Sequence, residues 1–243
     1  MAAGDPTAVR ASGLRPGFYA LAVFVAGALL AAVSFPQFVA ALARVAGDPV
    51  VAAIGAGDQV DDRRVARALR SRVGAAKWWP IPQDKADLAL LQLWQARQMD
   101  LDRQSGQRRL MLDRAVDSAR QAIALDAGNP YLWMRLAEGL FLRDGLSPAM
   151  AAAVTRSMVL GPTAQPMILP RLEMAFMLDA RLTDDQHAVV AEQIRLAALW
   201  HPDWLVAYAR QRYALGIVRR ALAATPDRLA TFDRLWDETR PGG

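Results

Sequence analysis

The chain has 243 residues, of which 53% are hydrophobic, so it is long enough for one or two domains with a buried core. It contains no cysteine, which excludes disulfides, thiolate metal sites, iron–sulfur clusters and a cysteine nucleophile. The formal net charge is +5, and most of the excess lies in residues 59–77, where six basic residues stand against two acidic ones. Because residues 87–243 carry 19 arginines against 18 acids, the body lacks the basic stripe of a nucleic-acid-binding domain, and we expect no nucleic acid partner.

An apolar segment without any charged residue extends from Gly17 to Ala43. A hydrocarbon core about 30 Å thick needs roughly 20 apolar residues of helix, so the segment predicts a transmembrane helix over 17–43 that follows a short tail at 1–16. The lipid bilayer is then one partner of the chain. A cleaved signal peptide with its cleavage site near 41–43 is the alternative, although the apolar region of such a peptide is only about 7–15 residues long.

The basic residues near this segment indicate its orientation. Arg10 and Arg15 precede the segment and only Arg44 follows it closely, and positive charge stays on the cytoplasmic side. The chain is rich in alanine and arginine, as in GC-rich bacteria, so we expect a single-pass protein of a bacterial inner membrane with a periplasmic C-terminal domain. The basic residues at 63–77 count against this orientation, because such clusters often mark the cytoplasmic face.

Residues 44–82 are predicted to form a linker that contains a basic amphipathic helix. Small residues dominate from Gly47 to Gly57, as in a loop, and the segment from Gln59 to Lys77 has apolar residues at helical spacing. The basic face is expected either to be solvated or to contact anionic lipid headgroups. It comprises Arg63, Arg64, Arg67 and Arg70.

Two adjacent tryptophans, Trp78 and Trp79, end this basic segment. Tryptophan is enriched at membrane interfaces, so the pair could lie at the membrane surface. A pair of this kind more often anchors a loop onto a core, and the sequence leaves both interpretations open.

From residue 83 onward the sequence predicts helices alone. Alanine and leucine favour helix, and no long run alternates apolar and polar residues as a strand would. Capping residues followed by proline mark helix starts, and Thr183 with Gln186 fits a capping box. The predicted caps before proline are Asn129, Ser147, His201 and Thr225. The predicted helices are 83–104, 107–126, 130–143, 147–160, 165–180, 184–200, 202–223 and 226–238.

The fold class predicted from these helices is all-α. Short connections favour antiparallel neighbours, so one transmembrane helix is followed by stacked helical hairpins over 83–238 and a tail at 239–243. Trp133 and Leu136 are expected to be buried between the first and second hairpins.

The helical segments also repeat. The run 122–125 leads to a proline and then to Trp133 and Leu136, and related runs begin about 35 residues later, at 157, and again at 197. The segment from Ala115 to Gly145 resembles the tetratricopeptide-repeat (TPR) family, with small residues at 115, 119 and 122 where helices cross closely. It departs from the family at Ala127, where proline is usual, and the later units contain an extra Pro170 within a helix.

The TPR resemblance implies an α-solenoid in which the first helix of each hairpin lines a concave, partner-binding groove. It places four residues on that groove: Tyr131, Met134, Arg135 and Glu138. Arg135 and Glu138 are three residues apart, so an ion pair between them is the alternative to a role in binding. The whole chain also resembles membrane-anchored TPR-like proteins of bacterial exopolysaccharide gene clusters, around Leu169–Glu173.

Residues for catalysis are sparse. His187 and His201, the only histidines, are fourteen residues apart, which does not fit a zinc site on one helix, and neither a phosphate-binding loop nor a serine-nucleophile motif occurs. We therefore expect no catalytic site, cofactor or metal, and expect His187 to be solvated. Several methionines recur on helical faces, either as core filling or as adaptable contacts: Met134, Met158, Met167, Met174 and Met177.

The predicted function is that of a membrane-tethered protein-interaction scaffold in the bacterial cell envelope, in polysaccharide export or envelope assembly. Its partners would be proteins of a membrane complex. The alternative is a structural subunit of an integral membrane complex that is held mainly through its transmembrane helix.

Overall fold

The computed structural model describes residues 16–100 and 103–239. Within these ranges the chain is all-α, with one turn of 3-10 helix at Asp179–Arg181 and no strand, which confirms the predicted fold class. The α-helices are α1 (Pro16–Val45), α2 (Asp48–Gly55), α3 (Asp62–Trp78), α4 (Pro82–Gln98), α5 (Ser105–Leu125), α6 (Pro130–Asp144), α7 (Pro148–Leu160), α8 (Gln165–Leu178), α9 (Asp184–Trp200), α10 (Pro202–Gln211), α11 (Leu215–Leu222) and α12 (Pro226–Glu238).

Side-chain caps begin three of the helices as predicted. Asn129 accepts a hydrogen bond from the Tyr131 amide at 3.0 Å, Ser147 caps α7, and the capping box of Thr183 and Gln186 is present. The prediction is wrong for His201 and Thr225, whose side chains make no capping bond. The hydroxyl of Thr225 donates to the Leu222 carbonyl of the preceding helix instead.

Consecutive helices pack as antiparallel hairpins, and each hairpin stacks on the next. The hairpins are α4–α5, α6–α7, α8–α9 and α10–α11, and α12 closes the stack against α10. Ala115, Ala119 and Ala122 of α5 are buried, as expected for close helix crossings. A Cβ atom added to Gly139 of α6 would lie 3.1 Å from a methyl group of Val116, so this crossing also needs a small residue.

Two details of the body differ from the prediction. Leu136 is buried as expected, but Trp133 is only partly buried, and its ring N–H donates to the Ala127 carbonyl at 2.9 Å. The helix predicted at 202–223 is two helices, α10 and α11. The turn between them contains Tyr213, whose φ of 56° lies in the left-handed region. The sequence has neither glycine nor asparagine at this position, so it did not indicate the turn.

The linker predicted at 44–82 is instead packed structure. The segment from Gly47 to Gly57 contains helix α2, and Val50 of this helix packs with Val65 of α3 and Leu91 of α4. Gly47 explains why small residues are needed there, because an added Cβ would lie 2.9 Å from the Ser71 hydroxyl oxygen. At this position a small residue that suggested a loop therefore allows close packing, whereas Gly55 and Gly57 are exposed and have open space around them.

Helix α1 is long and apolar enough to cross a membrane. All side chains from Tyr19 to Phe35 are exposed, whereas Ala40 is fully buried against the rest of the chain. Helix α3 runs antiparallel to α1, because Phe35 contacts Trp78 while the Ala43 carbonyl accepts a hydrogen bond from Ser71. The apolar helix therefore has an unpacked N-terminal part and a C-terminal part that is docked on the body.

Candidate partner-binding groove

The four residues predicted for partner binding all line one groove between α4, α6 and α8, with a volume of about 530 Å³. Tyr131 is half exposed at the rim, Met134 is nearly buried at the floor, and Arg135 and Glu138 are partly buried between them. These positions follow the helical period along one face of α6, which explains why a single helix brings them together.

Glu138 is held by two arginines within the groove. Its carboxylate accepts a hydrogen bond from the Arg135 guanidinium at 2.6 Å, which is the predicted ion pair, and another from Arg97 of α4. Two cations around one carboxylate give this side of the groove a net positive charge. The pairing also fixes the positions of Arg97 and Arg135. An ion pair between Arg135 and Glu138 is therefore compatible with a role of the same residues in binding.

Helix α8 supplies the opposite wall of the groove through a stripe of apolar residues. Met167, Pro170, Met174 and Met177 line it at spacings of three, four and three residues, which is one face of a helix. Core filling is the right interpretation for Met158, which is 1% exposed and does not line the groove. Met174 and Met177 are only partly buried, which leaves them accessible in the groove. Their helical spacing in the sequence was the signal that indicated this wall.

The groove continues toward the C-terminus in a second depression of about 500 Å³ that shares Pro170 and Glu173 with the first. Trp204 of α10 lines this part and stacks on Tyr208 with ring centroids 4.7 Å apart. Burial raises the pKa of Tyr208, against the opposing effect of Arg212, so its phenol stays protonated at neutral pH. The concave face thus extends over α4, α6, α8 and α10, the first helices of four hairpins.

A buried arginine, Arg171, holds the wall of the groove from behind. Its guanidinium donates to the hydroxyl and carbonyl oxygens of Ser157 and to the Gly161 carbonyl, and it lies 3.4 Å from the Gln193 amide oxygen. All of these acceptors are neutral, and burial lowers the pKa of Arg171 to about 10. Arg171 therefore joins α7, α8 and α9 through hydrogen bonds rather than through an ion pair.

A second set of charged residues joins α1 to the body, and we call it the junction network: Arg44, Asp48, Arg72, Asp84 and Asp87. Arg72, Asp84 and Asp87 are buried, Arg44 is partly buried and Asp48 is exposed. Arg44 donates two hydrogen bonds of 2.8 Å to the carboxylate of Asp84. Arg72 lies within 2.8 Å of both Asp87 and Asp48. The basic helix thus carries one arginine in the interior, whereas the four predicted on its basic face are exposed.

The remaining titratable candidates lie apart from the groove floor. His187 is not simply solvated, because its Nε2 lies 3.2 Å from a carboxylate oxygen of Asp179. His201 lies at the rim of the second depression beside Trp204. Across residues 16–100 and 103–239, histidines and acids do not gather into groups of three that could hold a metal ion.

No family model matches this chain, and no curated protein or solved structure matches it either. The groove is therefore the feature of the molecule from which a function can be proposed. It combines a charged wall, a methionine wall and an aromatic end, and side chains of these types recur in surfaces that bind peptides.

Proposed function

We propose that this protein is a membrane-tethered scaffold that binds a segment of a partner protein in its concave groove. The observation that carries the proposal is the convergence of Tyr131, Met134, Arg135 and Glu138 with the methionine stripe of α8 in one open groove. Helix α1 supplies the tether, since its length and composition suit a membrane span. The TPR resemblance, which implies binding along the first helices, supports the same surface.

The chemistry of the groove defines the segment that would fit. The wall formed by Arg97 and Arg135 is net positive, and the opposite wall bears the exposed carboxylate of Glu173. Met134 at the floor and the methionines of the α8 wall have flexible side chains that adapt to apolar partners. We therefore expect an amphipathic segment with apolar residues at its centre, an acidic group facing Arg135 and a basic group facing Glu173.

The cellular setting belongs to the same proposal. We infer an inner-membrane protein with its N-terminus in the cytoplasm and its body in the periplasm, on the basis of Arg10 and Arg15, which lie outside the described residues. Arg44, the nearest cation on the other side, is neutralised by Asp84. A role in polysaccharide export or envelope assembly follows only from the resemblance to exopolysaccharide-cluster proteins.

The test is a double variant, Tyr131→Ala with Arg135→Glu, in the full-length protein. Affinity purification from native membranes identifies the partner, and the affinity is then measured for each variant. Truncated interface hot spots of these residue types cost about 2 kcal/mol, so we expect roughly thirty-fold weaker binding. Thermal melting should be nearly unchanged, because Tyr131 is half exposed and Glu138 keeps Arg97 as a partner.

The matched control changes the second helix of the same hairpin. Arg156→Glu with Val159→Ala alters two exposed residues of α7 that do not line the groove. The control should bind like the wild type. Equal binding by both double variants would place the partner site outside the groove, and a lowered melting temperature of the groove variant would mean that its residues are structural.

A second candidate function is favoured by one observation. The side chains of α1 from Tyr19 to Phe35 are all exposed, so this helix offers a large apolar surface to lipid or to another membrane helix. A structural subunit would be held in its complex by this surface. Truncation to a chain that begins at Pro36 keeps Arg44 and the junction network. A scaffold should still bind its partner after this truncation, whereas a subunit held by α1 should be lost from the complex.

A further inference from the structure

The C-terminal end of α3 carries two tryptophans that the fold leaves largely uncovered. Trp78 is 50% exposed and Trp79 is 41% exposed, so the interpretation of the pair as an anchor on the core is wrong. Trp78 instead meets Phe35 of α1 edge to face, with ring centroids 6.2 Å apart. Because both side chains are largely exposed and Trp78 contacts α1, the surroundings of this part of α1 decide what the two tryptophans meet.

Phe35 marks the point where α1 changes its surroundings. From Tyr19 to Phe35 the helix is exposed on all sides, and after Phe35 it packs along α3 and reaches the ion pair of Arg44. From Pro16 to Phe35 the helix rises about 30 Å, at 1.5 Å per residue. This equals the thickness of a bilayer hydrocarbon core. The polar side chains of α3 therefore lie beside α1 only after Phe35, outside the length of α1 that a bilayer would enclose.

We propose that Lys77, Trp78, Trp79 and Phe35 lie in the lipid headgroup region and contact the membrane surface. The inference rests on the proposed function only in that α1 must cross the membrane. Indole rings prefer this region because one edge is polar and the rest is apolar. Lys77 is exposed in the last turn of α3, where its ammonium group can approach lipid phosphates.

An aromatic residue also lies near the opposite end of the span. Tyr19 is 57% exposed, and it precedes Phe35 by a helical rise of about 24 Å. Tyrosine shares the preference of tryptophan for the interface, so both ends of the span carry an aromatic residue of the interfacial type. The membrane-embedded part of α1 is then shorter than the predicted span of 17–43, and residues 36–45 stand above the membrane.

This placement also changes which cations approach the lipid. Since α3 is antiparallel to α1, it rises away from the membrane, with Arg70 about 12 Å and Arg63 about 22 Å above Trp78 along the helix. Both distances exceed the Debye length of about 8 Å at physiological salt. The anionic lipid contact expected of Arg63, Arg64, Arg67 and Arg70 therefore belongs to Lys77 in this proposal.

The experiment measures tryptophan fluorescence of the full-length protein in vesicles of phosphatidylcholine and phosphatidylglycerol. The lipids carry bromine, a quencher, either near the carbonyl end or near the methyl end of the acyl chain. The chain has seven tryptophans, so Trp78→Phe with Trp79→Phe isolates the pair. The matched control is Trp204→Phe with Trp236→Phe, which removes two tryptophans of the body.

We expect quenching in the wild type that is stronger with carbonyl-end bromine, that persists in the control and that is lost in the Trp78/Trp79 variant. Quenching that survives in this variant, or that is stronger with methyl-end bromine, would overturn the proposed depth. Carbonate washing of the same vesicles separates the two proposals. An unquenched protein that resists the wash would refute the interface alone, whereas release by carbonate would refute the membrane span and the interface with it.

Discussion

The junction and the repeat body each bury an arginine, but they neutralise it differently. In the junction, Arg72 is 2% exposed and lies 2.8 Å from the carboxylate of Asp87, which is itself buried. In the body, Arg171 is fully buried, and the oxygens that its guanidinium contacts belong to Ser157, Gly161 and Gln193, all neutral. One site is a buried ion pair, and the other is a buried cation that is solvated by amide and hydroxyl dipoles.

The difference shows what each region requires from its charges. Removing Arg72 leaves a buried carboxylate without its partner, and an unpaired buried charge is among the most destabilising defects in a protein. Removing Arg171 leaves only neutral acceptors and also removes the cost of burying a cation. The junction therefore depends on charge balance, whereas the body depends on an apolar core that Arg171 links by hydrogen bonds.

The largest effect should follow from Arg72→Met in the junction. We expect a loss of about 3–5 kcal/mol in the free energy of unfolding, because Asp87 would remain buried without a counter-charge. Denaturant titration of the full-length protein in detergent micelles, followed by circular dichroism, gives this value. Arg70→Met, an exposed change two residues away, is the control and should cost little.

A second change tests whether the cause is charge imbalance. Adding Asp87→Asn to Arg72→Met removes the unpaired carboxylate, so part of the loss should be recovered, with a coupling of about 0.5–3 kcal/mol. If the double variant were no more stable than Arg72→Met alone, lost packing would explain the defect, and the contrast with Arg171 would disappear.

A smaller effect is expected for Arg171→Met in the body. Methionine fills a similar space but leaves the Ser157 and Gly161 carbonyls without this donor, so we expect a loss of about 1–3 kcal/mol. The same unfolding titration measures it, with Arg156→Met on the exposed surface of α7 as the control. A loss as large as that of Arg72→Met would show that the body depends on its buried charge as strongly as the junction does.

The sequence predicted the repeat body better than the junction for a physical reason. Helix caps and apolar periodicity are local, so Asn129, Ser147 and Thr183 located the starts of α6, α7 and α9 correctly. Tertiary packing decides the rest. Helix α2 is formed by small residues that also suit a loop, and the break at Tyr213 has no local signal.

The same distinction applies to the groove. Tyr131, Met134, Arg135 and Glu138 share one helix, so the helical period together with the TPR resemblance identified this wall. Arg97 and Glu173 come from other helices, and only the stacking of hairpins brings them to the same groove. The burial of Arg171 also had a signal in the sequence, because this residue shares the helical stripe of Ile168, Leu172 and Ala175 on α8.

The smallest expected effect concerns pH and again distinguishes the junction. Burial raises the pKa of Asp87 above its ordinary value of 3.8, and the nearby Arg72 and the amide of Gln83 only partly oppose this. A carboxyl group with a raised pKa in the folded state binds its proton more readily there than in the unfolded chain. Its contribution to stability is therefore fully present below pH 3.8 and is lost as the pH rises through the raised pKa.

Asp87→Asn cannot titrate, so the difference in unfolding free energy between the wild type and this variant isolates the group. We expect the difference to shift in favour of the wild type as the pH is lowered through the raised pKa of Asp87, and to be constant at pH values well above that pKa. Denaturant titrations at a series of pH values measure it. The opposite slope would mean that Arg72 outweighs burial at Asp87 and lowers its pKa. The junction would then be held by a strong ion pair, which would widen its difference from the carbonyl-bound Arg171.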